Sequence, residues 1–337
     1  MSVVGILPWQ SALWSVVTEA RANEKLAHAL LLAGPAGVGK RQFARALAQA
    51  LLCESPGARG TACGQCRGCV QFDAGSHPNL FWLQPLYDEK NDKQKRDISV
   101  EQLRDLGEKL VLSAHYGGSK VVVMDPVDAL NVSGVNALLK TIEEPPPKTY
   151  MLLVSERPMA LAATLRSRCQ RLRFAPPSDE QARAWLREQQ PALTGANLDR
   201  ALDLAQGAPL RALAAHQSGL LEQHGKWRSD WLDVAAQKRA PTAAALAVGK
   251  DREQVSAWIA AFIAFLGELL RARVGGPQAA DLGTIPSRVA MPGLQAMLDE
   301  AFESARRITT SASPQLVVES LMIAWWRWSM ARGGASG

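Results

Sequence analysis

The sequence predicts an α/β domain built on a parallel sheet, followed by two domains made only of helices. Between residues 28 and 175, short apolar runs of strand length alternate with amphipathic helical segments, which indicates parallel strands joined by crossover helices. The first run leads into a glycine-rich loop at residues 34–41, and after Pro176-Pro177 only helical patterns follow. We therefore predict three domains, at residues 1–175, 176–217 and 218–337.

The composition is that of a soluble globular protein. The chain has 337 residues, of which 47% are hydrophobic and 21% charged, and this length is too great for a single core. It has no uninterrupted apolar window of about 18 residues and no basic region in residues 1–10. We therefore expect no membrane span, no signal peptide and a cytoplasmic location. The net charge of +6 is compatible with a nucleic-acid partner but does not establish one.

The first elements occur in the order that a phosphate-binding fold requires. The apolar run at 28–33 is a predicted strand, and residues 41–52, with helical spacing and neither Gly nor Pro, predict the helix behind the loop. Leu80–Leu83 predicts a second strand. Residues 87–97 carry charges of both signs and predict a solvated loop.

The rest of the first domain repeats the alternation of helix and strand. Residues 98–112 predict an amphipathic helix, and residues 120–125 predict a buried parallel strand. A predicted helix at 132–142 follows, and further buried strands are predicted at 150–155 and 169–174.

The remaining residues predict helices. Ser178 and Gln181 have the spacing of a capping box at a helix start, and a Gly-Ala-Pro sequence at 207–209 separates two later helices. Six of the ten tryptophans lie beyond residue 220. We interpret them as core or interface residues of a helical bundle.

The glycine-rich loop matches the phosphate-binding pattern G-x-x-x-x-G-K-[ST] except at its last position. In that pattern, backbone N–H groups and the Lys, here Lys40, contact phosphate oxygens, while the final hydroxyl ligates Mg²⁺. Arg41 holds the final position, and a guanidinium cannot ligate a metal. We expect this loop to bind the phosphate groups of a nucleotide. The alternative is a vestigial loop that stays empty. The candidate binding residues are Gly34, Pro35, Ala36, Gly37, Val38, Gly39, Lys40, Arg41 and Asp125.

The acidic half of a nucleotide-hydrolysing site is incomplete as well. The strand at 121–124 ends at Asp125, which is placed to reach Mg²⁺ directly or through water. A Glu that polarises the attacking water usually follows, but Pro126 stands there and the nearest acid is Asp128. Because a metal ligand and a water-positioning group are both lost, we predict a chain poorly suited to cleave a nucleotide.

Four cysteines form a candidate metal site, with the spacing Cys53-x9-Cys63-x2-Cys66-x2-Cys69. In a cytoplasmic chain such a cluster indicates a metal site rather than a set of disulfides. Four thiolates suit a closed, structural Zn²⁺ site. An iron–sulfur cluster is the rival, although the bacterial run of that kind ends in a downstream Cys followed by Pro. Free thiols, and His77 as a less favoured ligand, are further alternatives.

Taken in order, these motifs resemble one family. The phosphate loop and the cysteine insert are followed by Asn136–Pro146 (NALLKTIEEPP) and by Leu165–Cys169 (LRSRC). Over residues 28–175 the set is similar to the AAA+ clamp-loader subunits of bacterial DNA polymerase III. The resemblance implies a RecA-like parallel sheet with a zinc-binding insert, a small helical lid and an all-α collar domain that joins an oligomer.

Within that family the chain resembles the delta-prime class, whose phosphate and acid motifs are degraded. The gamma and tau subunits keep a Thr and a Glu at the positions that Arg41 and Pro126 occupy here. Lys40 is a residue that some delta-prime subunits lack, so the resemblance leaves binding of ATP or ADP open.

The resemblance also implies a role for Arg168. In this family the Arg of the Ser-Arg-Cys triplet acts in trans, as an arginine finger on the γ-phosphate that a neighbouring subunit binds. A guanidinium suits this task because it stays charged and binds phosphate bidentately. Ser155 corresponds to a phosphate-sensing hydroxyl. Arg211 lies one position away from the lid's sensing Arg, so that role is not assigned to it.

The function that the resemblance implies is that of a non-hydrolysing stator subunit. Its partners would be clamp-loader subunits of the gamma/tau and delta types and, through the complex, a sliding clamp and primed DNA. Two alternatives stay open. One is an active ATPase in which Asp128 or a partner residue replaces the missing acid, and the other is a nucleic-acid-binding zinc ribbon that uses Arg59 and Arg67.

Overall fold

The computed structural model describes residues 5–57, 59–88, 93–94, 97–111, 118–276, 280–308 and 312–330. Contacts between Cα atoms divide the chain into two compact units. The first comprises Met1–Thr194 with Ala205–Leu213, and the second comprises Gly195–Leu204 with Ala214–Gly337. The three-domain division with boundaries near residues 175 and 217 stays a prediction.

The first unit is built on a five-stranded parallel sheet, which confirms the predicted parallel sheet. Its strands are β1 (Ala29–Ala33), β2 (Leu80–Leu83), β5 (Lys120–Met124), β6 (Thr149–Ser155) and β7 (Gln170–Arg173). They lie in the order β2-β5-β6-β1-β7. Ala29 of β1 lies opposite Met151 of β6, and Lys120 of β5 lies opposite Thr149 of β6. Strands β1 and β5 are buried along their whole length, as expected for a sheet covered on both faces.

Helices cover this sheet and supply the apolar side chains between the layers. Leu103 and Leu106 of one helix and Leu138 of the next share one core cluster with Leu31 and Val122 of the sheet. The helices of this unit are α1 (Ser11–Ala22), α2 (Lys40–Leu52), α3 (Arg67–Asp73), α4 (Val100–Val111), α5 (Val132–Glu143), α6 (Ala163–Ser167) and α7 (Asp179–Gln189).

Two differences from the prediction in this unit concern the start of helix α4 and the segment at 87–97. Helix α4 begins at Val100 rather than residue 98, because the Ser99 hydroxyl accepts a hydrogen bond from the Gln102 N–H and thus caps the helix. The predicted loop at 87–97 contains a short antiparallel pair, β3 (Tyr87–Asp88) and β4 (Lys93–Gln94). Backbone groups form this ladder, so charged side chains do not prevent it. Residues 89–92, 95–96 and 112 lie outside the described residues.

The second unit is helical in the part that the structure describes. Its centre is an aromatic cluster in which Trp231, Trp258, Phe262, Phe265 and Trp325 lie with ring centroids 5.1–6.2 Å apart. The helices are α8 (Gly195–Leu204), α9 (Pro209–Gln217), which begins in the first unit, α10 (Leu220–Ala235), α11 (Pro241–Leu246), α12 (Arg252–Arg273), α13 (Ile285–Arg288), α14 (Met291–Arg307) and α15 (Pro314–Met330).

Helix α12 is the one described helix that is long and apolar enough to cross a membrane by length and composition. Its inward face, which includes Val255, Ile259 and Leu266, is buried in the core of the second unit. A core helix passes the same test, so this helix is weak evidence for a membrane span.

Candidate functional site

The phosphate loop lies between β1 and α2, as the sequence predicts. Gly37 and Gly39 adopt positive φ angles of 77° and 92°, which an L side chain rarely adopts. Lys40 is the first residue of α2 and is only 4% exposed. Its Nζ donates a hydrogen bond to the Pro35 carbonyl at 2.5 Å, and burial lowers its pKa. The Lys40 ammonium is therefore folded back onto its own loop.

Two segments that are distant from the loop in the sequence donate hydrogen bonds to its carbonyl groups. The Gln10 side-chain amide donates to the Val38 and Gly39 carbonyls at 3.1 and 2.8 Å. On another side, the Leu210 N–H donates to the Gly37 carbonyl at 3.1 Å. The sequence carries no signal for Gln10, because the burial of this polar side chain appears only in the folded protein.

Arg211 lies against the same loop. A Cβ atom on Gly37 would stand 2.5 Å from the Arg211 Cβ, so only glycine allows this approach. The sequence pattern left Arg211 without a role because it is one position away from the family's sensing Arg. The structure places its side-chain stem at the phosphate loop.

Arg41 and Asp125 form an ion pair between the Arg41 Nε and an Asp125 carboxylate oxygen. Asp125 is buried at the end of β5, whereas the Arg41 side chain is 64% exposed. The residue that replaces the metal-ligating hydroxyl thus binds the carboxylate that would face the metal. Since the guanidinium supplies the positive charge to this carboxylate, the pair disfavours Mg²⁺ at this position.

Asp128 is bound at the end of strand β6. One of its carboxylate oxygens accepts a hydrogen bond from the Ser155 hydroxyl at 2.9 Å, and the Glu156 N–H donates to the other at 2.7 Å. The Arg157 N–H adds a third bond, at 3.3 Å. The Ser155 hydroxyl therefore gives its one proton to Asp128, and the Asp128 carboxylate accepts three hydrogen bonds from the protein itself.

The four predicted cysteine ligands are brought together at the end of α2. Their sulfur atoms all lie within 4.8 Å of one another, and the pairs Cys53–Cys66 and Cys63–Cys69 are 3.8 and 3.9 Å apart. A tetrahedral zinc site with Zn–S bonds of about 2.3 Å has S–S edges of about 3.8 Å. The donor set and its dimensions therefore fit a closed tetrathiolate metal site.

Backbone groups around the cysteines favour thiolates. The N–H groups of Gln65 and Cys66 donate to Cys63 Sγ at 3.5 and 3.3 Å, and these bonds lower the pKa of Cys63 to about 6. Burial raises the pKa of the Cys53 and Cys69 thiols. A metal ion bound here would therefore displace protons from the two inner ligands.

His77 has a partner of its own outside the cysteine cluster. Its Nδ1 accepts a hydrogen bond from the Asn79 N–H at 3.1 Å, and burial lowers its pKa. These contacts fit the interpretation of His77 as a buried structural residue rather than a metal ligand.

Arg168 lies apart from the loop, at the C-cap of the one-turn helix α6. Its Nε donates to a carboxylate oxygen of Glu143 at 2.6 Å, and its Nη1 donates to the Thr164 carbonyl at 3.2 Å. The side chain is 40% exposed. Cys169 beside it is buried, and burial raises its pKa to about 11, so this thiol is an inert core residue.

The comparisons with known proteins agree on one family. The family model "DNA polymerase III, delta subunit" matches residues 9–178. The DNA polymerase III subunit delta' of Pseudomonas aeruginosa is 41% identical over 221 residues, which cover 66% of this chain and 64% of that protein, just under two thirds of its length. The corresponding protein of Haemophilus influenzae is 33% identical over 287 residues, covering 83% of each chain.

A solved structure has a similar fold. The DNA polymerase III gamma subunit-related protein of Thermotoga maritima matches with a TM-score of 0.54 over 94% of this chain and 99% of that one. The identity is 14%, so this likeness concerns the fold alone.

Proposed function

Because the chain belongs to the DNA polymerase III delta' family, we propose that it is a non-hydrolysing subunit of a clamp loader, the assembly that places a sliding clamp on primed DNA. Its partners are clamp-loader subunits of the gamma/tau and delta types, in a hetero-oligomer that forms through the second, helical unit. Clamp and DNA are reached through that complex. This role places the protein in the cytoplasm.

The observation that carries the non-hydrolysing role is the ion pair between Arg41 and Asp125. Hydrolysis of a nucleoside triphosphate requires a metal that neutralises developing charge and a group that orients the attacking water. Arg41 engages the carboxylate that would bind the metal, and Pro126 occupies the place of the base. The three hydrogen bonds that Asp128 accepts from the Ser155 hydroxyl and from two backbone N–H groups count against the alternative that Asp128 acts as a substitute base.

Arg168 then serves a neighbour rather than its own loop. Its side chain is exposed at the end of a short helix, where another subunit can approach it. A guanidinium presented to a triphosphate in this way stabilises the charge of the transition state. The assignment of this trans role to Arg168 depends on the Ser-Arg-Cys triplet that the family shares.

The four cysteines hold a structural Zn²⁺ ion in this proposal. The support is the fit of the sulfur positions to a tetrahedron of four thiolates, which leaves no open position for catalysis. The metal links the end of α2, at Cys53, to the start of α3, at Cys66. Its contribution is therefore to the stability of the first unit.

The direct test compares ATP turnover by the purified chain with that of a loader reconstituted with and without it. We expect the chain alone to hydrolyse no ATP, and the loader to need the chain for both ATP hydrolysis and clamp loading. ATP turnover by the isolated chain that disappears in Lys40→Ala would overturn the proposal and support an active ATPase. Binding of the isolated chain to DNA that weakens in Arg59→Ala and Arg67→Ala would instead support the zinc-ribbon alternative.

A further inference from the structure

Glu143 and Arg168 are joined although 25 residues separate them in the sequence. Glu143 is the last residue of α5, and Arg168 caps the end of α6. The Glu143 carboxylate accepts a hydrogen bond from the Arg168 Nε at 2.6 Å, a short, charge-assisted bond. The carbonyl of Thr164, one turn earlier on α6, accepts a bond from Nη1 at 3.2 Å. Two different elements thus fix one guanidinium.

These two bonds define what the guanidinium can offer to another molecule. An arginine side chain has several rotatable bonds and, when unrestrained, samples many directions. A guanidinium carries five N–H donors in a rigid fork, and within the described residues Arg168 uses its Nε and one N–H of Nη1. The outer N–H groups, including those of Nη2, remain for a ligand.

We propose that Glu143 is a positioning residue for Arg168, one that aims its outer N–H groups at a phosphate bound by the neighbouring subunit. This inference rests on the proposed trans role of Arg168. Orienting a catalytic group before the substrate arrives lowers the entropic part of the barrier. The Glu143 side chain is 49% exposed, and exposed ion pairs are weak. The bond therefore orients Arg168 without competing strongly against a triphosphate.

A role in positioning Arg168 and a role in holding it away from the phosphate predict opposite effects of removing Glu143 on the rate of ATP hydrolysis. If Glu143 aims Arg168, its removal slows ATP hydrolysis at the neighbouring site. If Glu143 instead holds Arg168 away from the phosphate, its removal speeds hydrolysis. Within the described residues both bonds leave Nη2 open to a phosphate while they fix the plane of the guanidinium, which favours the positioning role.

The experiment uses the loader reconstituted with variants of this chain. Glu143→Ala removes the acceptor, Glu143→Gln keeps an oxygen acceptor without the charge, and Glu144→Gln, at the adjacent exposed position, is the matched control. We expect Glu143→Ala to lower kcat for ATP about tenfold with little change in KM, since a misplaced catalytic group costs rate rather than binding. Glu143→Gln should recover part of the loss, and Glu144→Gln should behave as the parent chain.

The double variant decides whether Glu143 acts through Arg168. In an Arg168→Ala background, Glu143→Ala should cause no further loss, because the residue that it positions is gone. A further loss in that background, a higher kcat in Glu143→Ala alone, or an unchanged kcat would each overturn the inference. If Arg168→Ala itself left hydrolysis unchanged, the proposed function would fail as well, so the two failures are distinguishable. Equal melting temperatures for the variants would show that the effects do not come from unfolding.

Discussion

The phosphate loop and the Arg168 site use the same type of side chain in opposite ways. At the loop, the cations bond inward, since Lys40 donates to its own loop and Arg41 pairs with a buried carboxylate. At Arg168, within the described residues, the guanidinium donates through Nε to Glu143 and through Nη1 to Thr164, and Nη2 stays open. An inward-bonded cation stabilises its own domain, whereas one with open donors can act on another molecule.

The largest effect should come from removing Arg168. We expect Arg168→Ala to leave assembly of the loader intact and to slow ATP hydrolysis at the neighbouring site about 10³-fold, the lower range for an arginine finger. Steady-state hydrolysis by the reconstituted loader measures this. Arg171→Ala, an exposed arginine on the nearby edge strand, is the control. A normal rate of ATP hydrolysis in Arg168→Ala would show that Arg168, like the cations of the loop, does not act on a neighbouring subunit.

The second largest effect should appear in stability rather than in rate. Cys66→Ser removes one of four converging sulfur ligands, so we expect loss of the bound metal and a loss of several kcal/mol in the free energy of unfolding of the first unit. Metal analysis together with urea denaturation measures both. Gln65→Ala, which changes an exposed side chain between two ligands, should keep metal and stability. Iron, or an absence of metal in the parent protein, would contradict the zinc assignment.

A smaller effect should follow when the ion pair between Arg41 and Asp125 is removed. Arg41→Thr frees Asp125 and restores the metal-ligating hydroxyl, so we expect affinity for Mg-ATP to rise about tenfold, or about 1.4 kcal/mol. Hydrolysis should stay absent, because Pro126 still occupies the position of the base. Calorimetric titration with Mg-ATP, repeated with ATP and EDTA, tests this. Equal affinities of the parent and variant chains for Mg-ATP would show that the ion pair does not control metal binding.

The smallest effect should come from Lys40. We expect Lys40→Ala to change the rate of clamp loading little, because the ammonium is bonded to the Pro35 carbonyl of its own loop and the proposed stator role requires no nucleotide there. A fluorescence assay of clamp loading measures the rate. A large defect would show that a nucleotide at this loop is functional and would remove the distinction between the two sites.

Features within one local segment could be predicted from the sequence. The strands predicted at 120–125 and 150–155 are found as the buried strands β5 and β6, and Gly37 and Gly39 adopt the backbone angles that the loop pattern requires. The cysteine spacing also predicted the cluster. In each case the signal is a residue type at a fixed separation along the chain, and local geometry then limits where the side chains lie.

The sequence by itself thus determined the parallel sheet, the loop without its metal-ligating hydroxyl, the cluster of four cysteines and the resemblance to one family. Only the tertiary structure decided which polar side chains bond to each other. Arg41 and Asp125 are 84 residues apart, and Ser155 and Asp128 are 27 residues apart. Such pairs form because strands that are distant in the sequence lie side by side in the sheet, so that their carboxyl ends meet. No periodicity within a segment records that arrangement of strands, so these pairings could not be read from the sequence.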